Sequence, residues 1–103
     1  MINSLSGLIK VSGSNTNSNL NNGIEINAAG AVQIVSVKSM ANGDGVTFGD
    51  GLWISTGIAN LTIQKSTFIA NYGNGIDSQI GVGVLTITNT KNFGNRAANL
   101  NNH

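Results

Sequence analysis

The amino-acid sequence predicts an all-β chain wound as a parallel β-solenoid, with about four coils of roughly 22–29 residues and three short strands in each coil. The first observation behind this prediction is internal repetition. Residues 61–76 (LTIQKSTFIANYGNGI) align without a gap with residues 9–24 (IKVSGSNTNSNLNNGI), and shorter copies occupy residues 85–95 and 32–42. The second observation is that apolar and polar residues alternate within each copy, which is typical of strands with one buried face.

This alternation places short strands at residues 9–11, 24–26, 32–34, 37–39, 52–54, 61–63, 66–68, 76–78, 85–87 and 90–92. Strands of this length are too short for stable hairpins, and no Asn-Gly pair joins two adjacent apolar runs. If each strand instead pairs with its equivalent one copy later, the chain builds three parallel sheets with ~4.8 Å between neighbouring strands. Ile34, Ile63 and Ile87 are then expected in one inward column, and Ile26 and Ile54 in another.

The bends between the strands are rich in Gly and Asn, and Gly is expected to supply positive φ there. One Asn recurs at the same corner of every copy, as Asn19, Asn42, Asn71 and Asn95. An amide at a repeated corner can hydrogen bond to the equivalent amide of the next coil. We therefore expect an Asn ladder with a structural role.

Composition argues against several classes of function. Five Lys and Arg stand against four Asp and Glu, a net charge of +1, and the basic residues are dispersed along the chain. Nucleic-acid binding needs a clustered basic face, so it is not expected. No apolar run approaches the ~18 residues of a membrane helix, so membrane insertion is not expected either. The chain has no Cys, and no motif points to a cofactor.

Repeats of the form I-x-I…L-T-I-x-x-S-x-F…N-x-x-N-G-I resemble those of the right-handed parallel β-helix superfamily, the pectate-lyase-like fold. They look most similar to the Asn- and Gly-rich repeats of bacterial surface and adhesin-type proteins. The resemblance covers roughly residues 8–100 and implies a right-handed coil. It also implies an extracellular or cell-surface location. It leaves function open, because this superfamily includes polysaccharide lyases, glycoside hydrolases, tailspikes and non-catalytic adhesins.

The repeats define a single domain over residues 1–103, with residues 1–7 as a lead-in or cap, 8–100 as the repeats and 101–103 as a tail. The first copy is expected to lack its first strand, whereas Leu100 is expected to begin a further one. His103 is the lone His and is either native or the remnant of a tag, and no metal site can be built on it. The ends indicate either a piece excised from a longer solenoid or copies that stack end to end.

The largest break in the repeat is the segment 42–51 (NGDGVTFGDG), where two Asp-Gly pairs compete for the expected Asn-Gly-Ile position. The residues between them are expected to leave the coil as a loop that carries Phe48. Asp44 and Asp50 are weak calcium candidates, since carboxylates in a Gly-rich loop are suitable hard ligands. Their spacing does not match calcium-binding β-roll repeats, so no metal is expected.

Trp53 follows this loop at an outward position, in the column formed by Glu25, Trp53 and Asp77. With Phe48, these residues are the candidates for contact with a ligand or partner, because an exposed Trp often marks an interface. Glu25 and Asp77 would lie ~10 Å apart by the strand spacing, near the upper limit for an inverting glycosidase pair. No third acid, Arg or His is expected beside them, so the chain is not expected to be an enzyme.

The expected function is therefore that of a non-catalytic structural module of a secreted or cell-surface protein, acting in adhesion, spacing or head-to-tail fibre assembly. A homo-oligomer or filament is expected, because a head-to-tail contact that does not close gives a fibre. The alternative is a carbohydrate-binding or carbohydrate-cleaving β-helix that uses the Trp53 face, with a glycan as partner. The candidates for end-to-end contact are Leu5, Leu8, Ile9, Phe93 and Leu100.

Overall fold

The computed structural model describes residues 2–4, 8–43, 49–55, 60–80 and 83–102, and these residues form strands joined by short bends. No helix in these segments is long and apolar enough to cross a membrane. The strands, in chain order, are β1 (Ile2–Ser4), β2 (Ile9–Ser12), β3 (Asn15–Asn17), β4 (Ile24–Ala28), β5 (Val32–Val35), β6 (Lys38–Met40), β7 (Leu52–Ser55), β8 (Leu61–Gln64), β9 (Thr67–Ile69), β10 (Ile76–Gln79), β11 (Leu85–Thr88), β12 (Lys91–Phe93) and β13 (Leu100–Asn102).

Each strand pairs in parallel with its equivalent one coil away, as the repeats predict. The first sheet has the order β1-β4-β7-β10-β13, the second β2-β5-β8-β11 and the third β3-β6-β9-β12. From β2 to β11 the chain makes about three turns, with one strand of every sheet in each coil. The predicted all-β parallel solenoid with three strands per coil is confirmed.

The core consists of inward side chains stacked in columns along the solenoid axis. Ile34 pairs with Ile63, and Ile63 with Ile87, so the predicted column is confirmed. Ile26 and Ile54 form the second predicted column and are both fully buried. Because a coil is only a few side chains wide, each residue is enclosed mainly by its equivalents above and below.

The predicted Asn ladder is also confirmed. Each amide accepts hydrogen bonds through its Oδ1 from both the backbone N–H and the Nδ2 of the Asn one coil before it. Between Asn42 and Asn71 these distances are 3.1 and 2.8 Å, and between Asn71 and Asn95 they are 3.0 and 2.8 Å. The Nδ2 of Asn71 also donates to the carbonyl of Ser39 at 3.2 Å. The ladder thus satisfies polar groups at a corner that has turned into the core.

Most corners do not use Gly for positive φ, contrary to our expectation. The residue after each strand of the second and third sheets adopts a φ between 47 and 66°, and this residue is Gly only at Gly13 and Gly94. The other six positions are Ser18, Ser36, Ala41, Lys65, Ala70 and Asn89. A non-Gly residue in this conformation costs roughly 1–2 kcal/mol. The pairing of the flanking strands with the neighbouring coils therefore fixes the corner.

The two ends of the chain differ from the predicted boundaries. Residues 2–4 of the predicted lead-in form β1, which pairs with β4, so the first copy does have a strand in the first sheet. Residues 101 and 102 of the predicted tail belong to β13, which Leu100 begins as expected. The sequence does not predict these strand residues, because both segments have too few apolar residues to show an alternating pattern.

We expect Asn71→Ala to reduce the free energy of unfolding by about 2–4 kcal/mol. Asn71 is 1 % exposed, and its loss leaves the buried N–H of Asn42 without its acceptor, at about 1–3 kcal/mol for an unsatisfied group. The bonds that the Nδ2 of Asn71 donates to Ser39 and Asn95 are lost as well. Urea denaturation followed by circular dichroism measures the change. Asn19→Ala, at the exposed end of the same ladder, is the matched control and should cost less. An equal decrease in the free energy of unfolding in the two variants would contradict the conclusion that burial makes the middle of the ladder more important for stability than its exposed end.

Candidate functional site

Gly43 and Gly49, which flank the break in the repeat, lie against each other. Gly43 has a φ of 96°, and a Cβ added to it would lie 2.7 Å from the backbone N of Gly49. A Cβ on Gly49 would in turn collide with the carbonyl of Asn21. The backbones at the two glycines therefore approach so closely that neither position has room for a side chain. The candidates Asp44 and Phe48 lie outside the described residues.

Of the two Asp-Gly pairs, Asp50-Gly51 occupies the repeat position. The carbonyl of Asp50 accepts the N–H of Gly23 at 2.8 Å, and the N–H of Gly51 donates to the carbonyl of Asn74 at 2.9 Å. Leu52 then begins β7 opposite Ile24. Trp53 is thus in phase with the other coils.

The outward column predicted on the first sheet is present. Trp53 pairs with Glu25 on one side and with Asp77 on the other, and Asn101 continues the column beyond Asp77. Trp53 is half-buried, whereas Asp77 is only 9 % exposed. The column therefore presents one aromatic face and one accessible carboxylate, that of Glu25, instead of the two carboxylates that the sequence suggested.

Both carboxylates of this column are held by an Asn three residues earlier. The Nδ2 of Asn22 donates to Glu25 at 3.3 Å, and the Nδ2 of Asn74 donates to Asp77 at 3.2 Å. Asn101 adds a longer contact of 3.4 Å to the same Asp77 oxygen. These bonds orient the carboxylates along the surface of the coil, which is a structural use of both groups.

Asp50 lies between Asn22 and Asn74 in a second ladder that the sequence analysis did not identify. The N–H of Asp50 donates to Oδ1 of Asn22 at 2.8 Å, and Oδ1 of Asp50 accepts the N–H of Asn74 at 2.6 Å. In this ladder the side chain bonds to the following coil's backbone, opposite to the direction in the Asn19–Asn95 series. The signal was available, because all three residues precede Gly at the same repeat position.

Burial raises the pKa of the Asp50 carboxyl above its usual range, and the nearby carboxylate of Asp77 adds to this increase. The hydrogen bonds from Asn74 act in the opposite direction. Among the described residues, no group of three or more His, Cys, Asp or Glu is placed to hold a metal ion.

The residues predicted for end-to-end contact do not all lie at the open ends of the solenoid. Leu8 is 59 % exposed just before β2, and Leu100 is 44 % exposed at the open end of the inward column that contains Ile76. Ile9 is half-buried opposite Val32. Phe93 is 53 % exposed but lies on the outer face of the third sheet, beside Ile69. Leu5 lies outside the described residues, and His103 does as well.

Two end residues were missed by the sequence analysis. Val84, which is 61 % exposed, precedes β11 at the last coil, and Ile2, which is 38 % exposed, begins β1 at the first coil. A signal existed for Val84, since it stands immediately before a repeat strand, as Leu8 does. Ile2 was hidden because a three-residue strand with one apolar residue shows no periodicity.

A cavity of about 200 Å³ opens at the first coil. β1 begins at Ile2, which pairs with Ile26, so β1 has no residue opposite Ile24 in the inward column. The side chain of Ile24 consequently closes one wall of the cavity. The cavity is lined by Ile2, Val11, Ser14, Thr16, Gly23, Ile24 and Glu25.

Comparison of the chain with protein-family models, with curated proteins and with solved structures found no match. The class of protein is therefore defined by its fold alone. The chain is a parallel β-solenoid repeat protein.

We expect Asp50→Asn to stabilise the protein increasingly as the pH rises from about 3 to 7. The folded-state pKa of Asp50 is raised, so the folded protein binds this proton more tightly than the unfolded chain does. Stability from this group is therefore present at low pH and is lost as the pH rises through the folded-state pKa. Asn is isosteric, keeps the Oδ1 acceptor for Asn74 and carries no charge.

Urea denaturation at a series of pH values measures the effect, with Trp53 fluorescence as the probe. The difference in unfolding free energy between the variant and the natural sequence should be small near pH 3 and larger at pH 7. A difference that shrinks as the pH rises would show that hydrogen bonding outweighs burial at this carboxyl.

Proposed function

We propose that this chain is a non-catalytic structural module whose sheets are continued at both ends by further solenoid coils. The observation that carries this proposal is where the exposed apolar side chains lie. Six of the seven large hydrophobic side chains that are exposed among the described residues belong to the first or the last coil. They are Ile2, Leu8 and Leu20 in the first coil and Val84, Phe93 and Leu100 in the last.

The backbone of the two end coils supports the same proposal. β1, β2 and β3 are the edge strands at one end, and β13, β11 and β12 are those at the other. Edge strands present unpaired N–H and C=O groups and are templates for pairing with another chain. Here all three sheets end in the same two coils, and parallel strands can be extended by any coil of the same repeat.

The energetic scale is sufficient for association. Burial of ~500 Å² of apolar surface at one end is worth roughly 12 kcal/mol, against an association cost of about 4–15 kcal/mol. Strand pairing in three sheets adds to the favourable side. If a second copy of this chain supplies the further coils, a head-to-tail contact of this kind repeats into a filament.

Adhesion or spacing at a cell surface or in a secreted protein is the setting that we propose for such a module. It is supported by the resemblance of the Asn- and Gly-rich repeats to those of bacterial surface proteins within the pectate-lyase-like superfamily. An extended rod also separates whatever is attached at its two ends, with each coil adding ~4.8 Å.

The alternative function is carbohydrate binding on the Trp53 face. It is supported by the half-buried indole, which can stack on a sugar ring beside the carboxylate of Glu25. Glycan-array binding that disappears in Trp53→Ala, with an unchanged circular dichroism spectrum, would favour this alternative. Binding that is unaffected by the substitution, or that is absent from the start, would count against it.

The proposed assembly is tested by sedimentation velocity and negative-stain microscopy of the chain. The natural sequence should form end-to-end oligomers whose size grows with protein concentration. Leu8→Asp should shift the population to monomer without loss of β-structure, because Leu8 is already exposed in the isolated chain and the charge is costly only when the end is covered.

Tyr72→Asp is the matched control, since Tyr72 is 38 % exposed but lies in a middle coil. It should leave association unchanged. A natural chain that sediments as a monomer at every concentration would overturn the assembly proposal.

A further inference from the structure

We propose that the outer face of the third sheet binds the surface of a membrane that contains anionic lipids. This third-sheet face combines an apolar column with three lysines: Met40, Ile69 and Phe93, and Lys38, Lys65 and Lys91. The contact is peripheral, with the apolar column in the headgroup region and the lysines at the lipid phosphates. It gives the side of the solenoid a ligand, which the proposed structural function does not.

The apolar column runs along the third-sheet face, parallel to the solenoid axis. Met40 pairs with Ile69, and Ile69 pairs with Phe93, which is 53 % exposed. The preceding residue of each strand points inward, as the full burial of Ser39 and Phe68 shows. Outward positions of a sheet with one buried face are normally polar, so three contiguous apolar side chains at these positions indicate a contact surface.

Three of the five basic residues adjoin the apolar column, although they are far apart in the sequence. Lys38 and Lys91 begin β6 and β12 and pair with Thr67 from opposite sides, so their Cα atoms are about 10 Å apart by two strand spacings. Lys65 lies in the coil between them, at the corner that precedes β9, and all three lysines are exposed. Thr67 also keeps the lysines from opposing each other directly, which would weaken strand pairing.

The acidic groups lie on a different side of the coil. Glu25 and Asp77 belong to the outward column of the first sheet, and Asp50 lies just before β7 of the same sheet. No carboxylate of the described residues lies on the third-sheet face. The net charge of +1 therefore conceals a basic side of the solenoid, and a concentration of one sign of charge attracts anionic partners.

The arrangement of the two columns matches the depth profile of a lipid interface. The column of Lys38 and Lys91 and the apolar column are two residues apart along each strand, about 7 Å. Amphipathic surfaces at a bilayer bury their apolar side ~5–10 Å deep, at the boundary between headgroups and acyl chains, and keep their cations nearer the water. The corner residues that follow the apolar column, Ala41, Ala70 and Gly94, are small and let this edge of the coil approach the lipid closely.

Two other anionic partners fit this face less well. A single strand of nucleic acid binds through aromatic side chains on which successive bases stack, whereas Phe93 is the one aromatic member of the apolar column. An acidic peptide binds in a groove or adds a strand to a sheet edge, whereas this column crosses β6, β9 and β12 on the outside of their sheet. A lipid surface needs neither a stacking platform nor a groove.

The third-sheet face is the same whether or not the terminal strands are covered. A further coil pairs with β3 or β12 in the plane of the sheet, while outward side chains stand roughly perpendicular to that plane. Lipid binding is therefore independent of end-to-end assembly.

Tryptophan fluorescence identifies the face that meets the lipid, because the chain has a single Trp. The double variant Trp53→Phe/Phe93→Trp moves the indole to the apolar column. Its emission should shift to shorter wavelength when vesicles of equal parts phosphatidylcholine and phosphatidylglycerol are added, and should not shift with pure phosphatidylcholine. In the natural chain, Trp53 reports on the first sheet and should keep its emission maximum. A shift of Trp53 without a shift in the double variant would overturn the assignment to the third-sheet face.

Co-sedimentation with the same vesicles measures the contribution of the lysines. Lys38→Gln should weaken partitioning about fivefold, and the triple variant Lys38→Gln/Lys65→Gln/Lys91→Gln about 100-fold. Both effects should diminish at high salt, which screens exposed charges. Lys10→Gln is the matched control, since it makes the same change of charge on the outer face of the second sheet, and it should leave partitioning unchanged.

The circular dichroism spectrum should be the same for all lysine variants, because each of these side chains is exposed. Equal weakening by Lys10→Gln and Lys38→Gln would show that net charge alone is responsible and would overturn the site. A natural chain that does not bind the phosphatidylglycerol vesicles would overturn the proposal. Lysine-dependent binding of a single-stranded oligonucleotide without vesicle binding would do so as well, and would assign the face to nucleic acid.

Discussion

The structure depends on one constraint, which is that equivalent residues of successive copies pair in register. A strand of three or four residues gains little from any single partner, but a strand in the middle of a sheet pairs on both sides. In-register pairing also stacks each inward side chain on its own kind, so that Ile63 is enclosed by Ile34 and Ile87. Loss of register by one residue would turn the entire inward set to solvent.

Register also explains how the polar composition is compatible with a packed core. Two ladders with opposite bond directions provide hydrogen-bond partners at the corners. In the Asn19–Asn95 series each side-chain amide bonds to the next. In the second ladder, the side chains of Asn22 and Asp50 accept the backbone N–H groups of Asp50 and Asn74 in the next coil. A side chain that repeats at one corner always finds its partner one strand spacing away. An Asn-rich sequence is thereby a structural requirement of this coil.

In-register pairing also keeps the coil regular on both sides of the break in the repeat. Gly43 and Gly49 lie against each other on either side of the break in the repeat, and β7 stays in register with β4. The ends behave differently, since a terminal coil has pairing groups on one side that the chain itself does not use. The exposed apolar side chains are concentrated there.

The sequence by itself determined the repeat, the parallel pairing, the inward columns and the Asn ladder. Each of these depends on identical residues at identical positions, which an alignment of the chain with itself reveals. It did not reveal β1 or the strand character of Asn15–Asn17, because neither segment contains enough apolar residues to alternate. Those strands form because an adjacent coil offers a paired edge, which is a tertiary effect.

The tertiary structure alone decided the environment of the charged groups and the shape of the ends. Asp77 shares the outward column of Glu25 and Trp53, yet neighbouring amides bury it to 9 % exposure, and Asp50 becomes a ladder member with a raised pKa. The cavity lies beside Ile24, because β1 begins opposite Ile26 and leaves Ile24 without a paired residue on that side. Exposure and cavity shape depend on which side chains surround a site from adjacent coils, and a repeat pattern specifies only the position of a residue along its own coil.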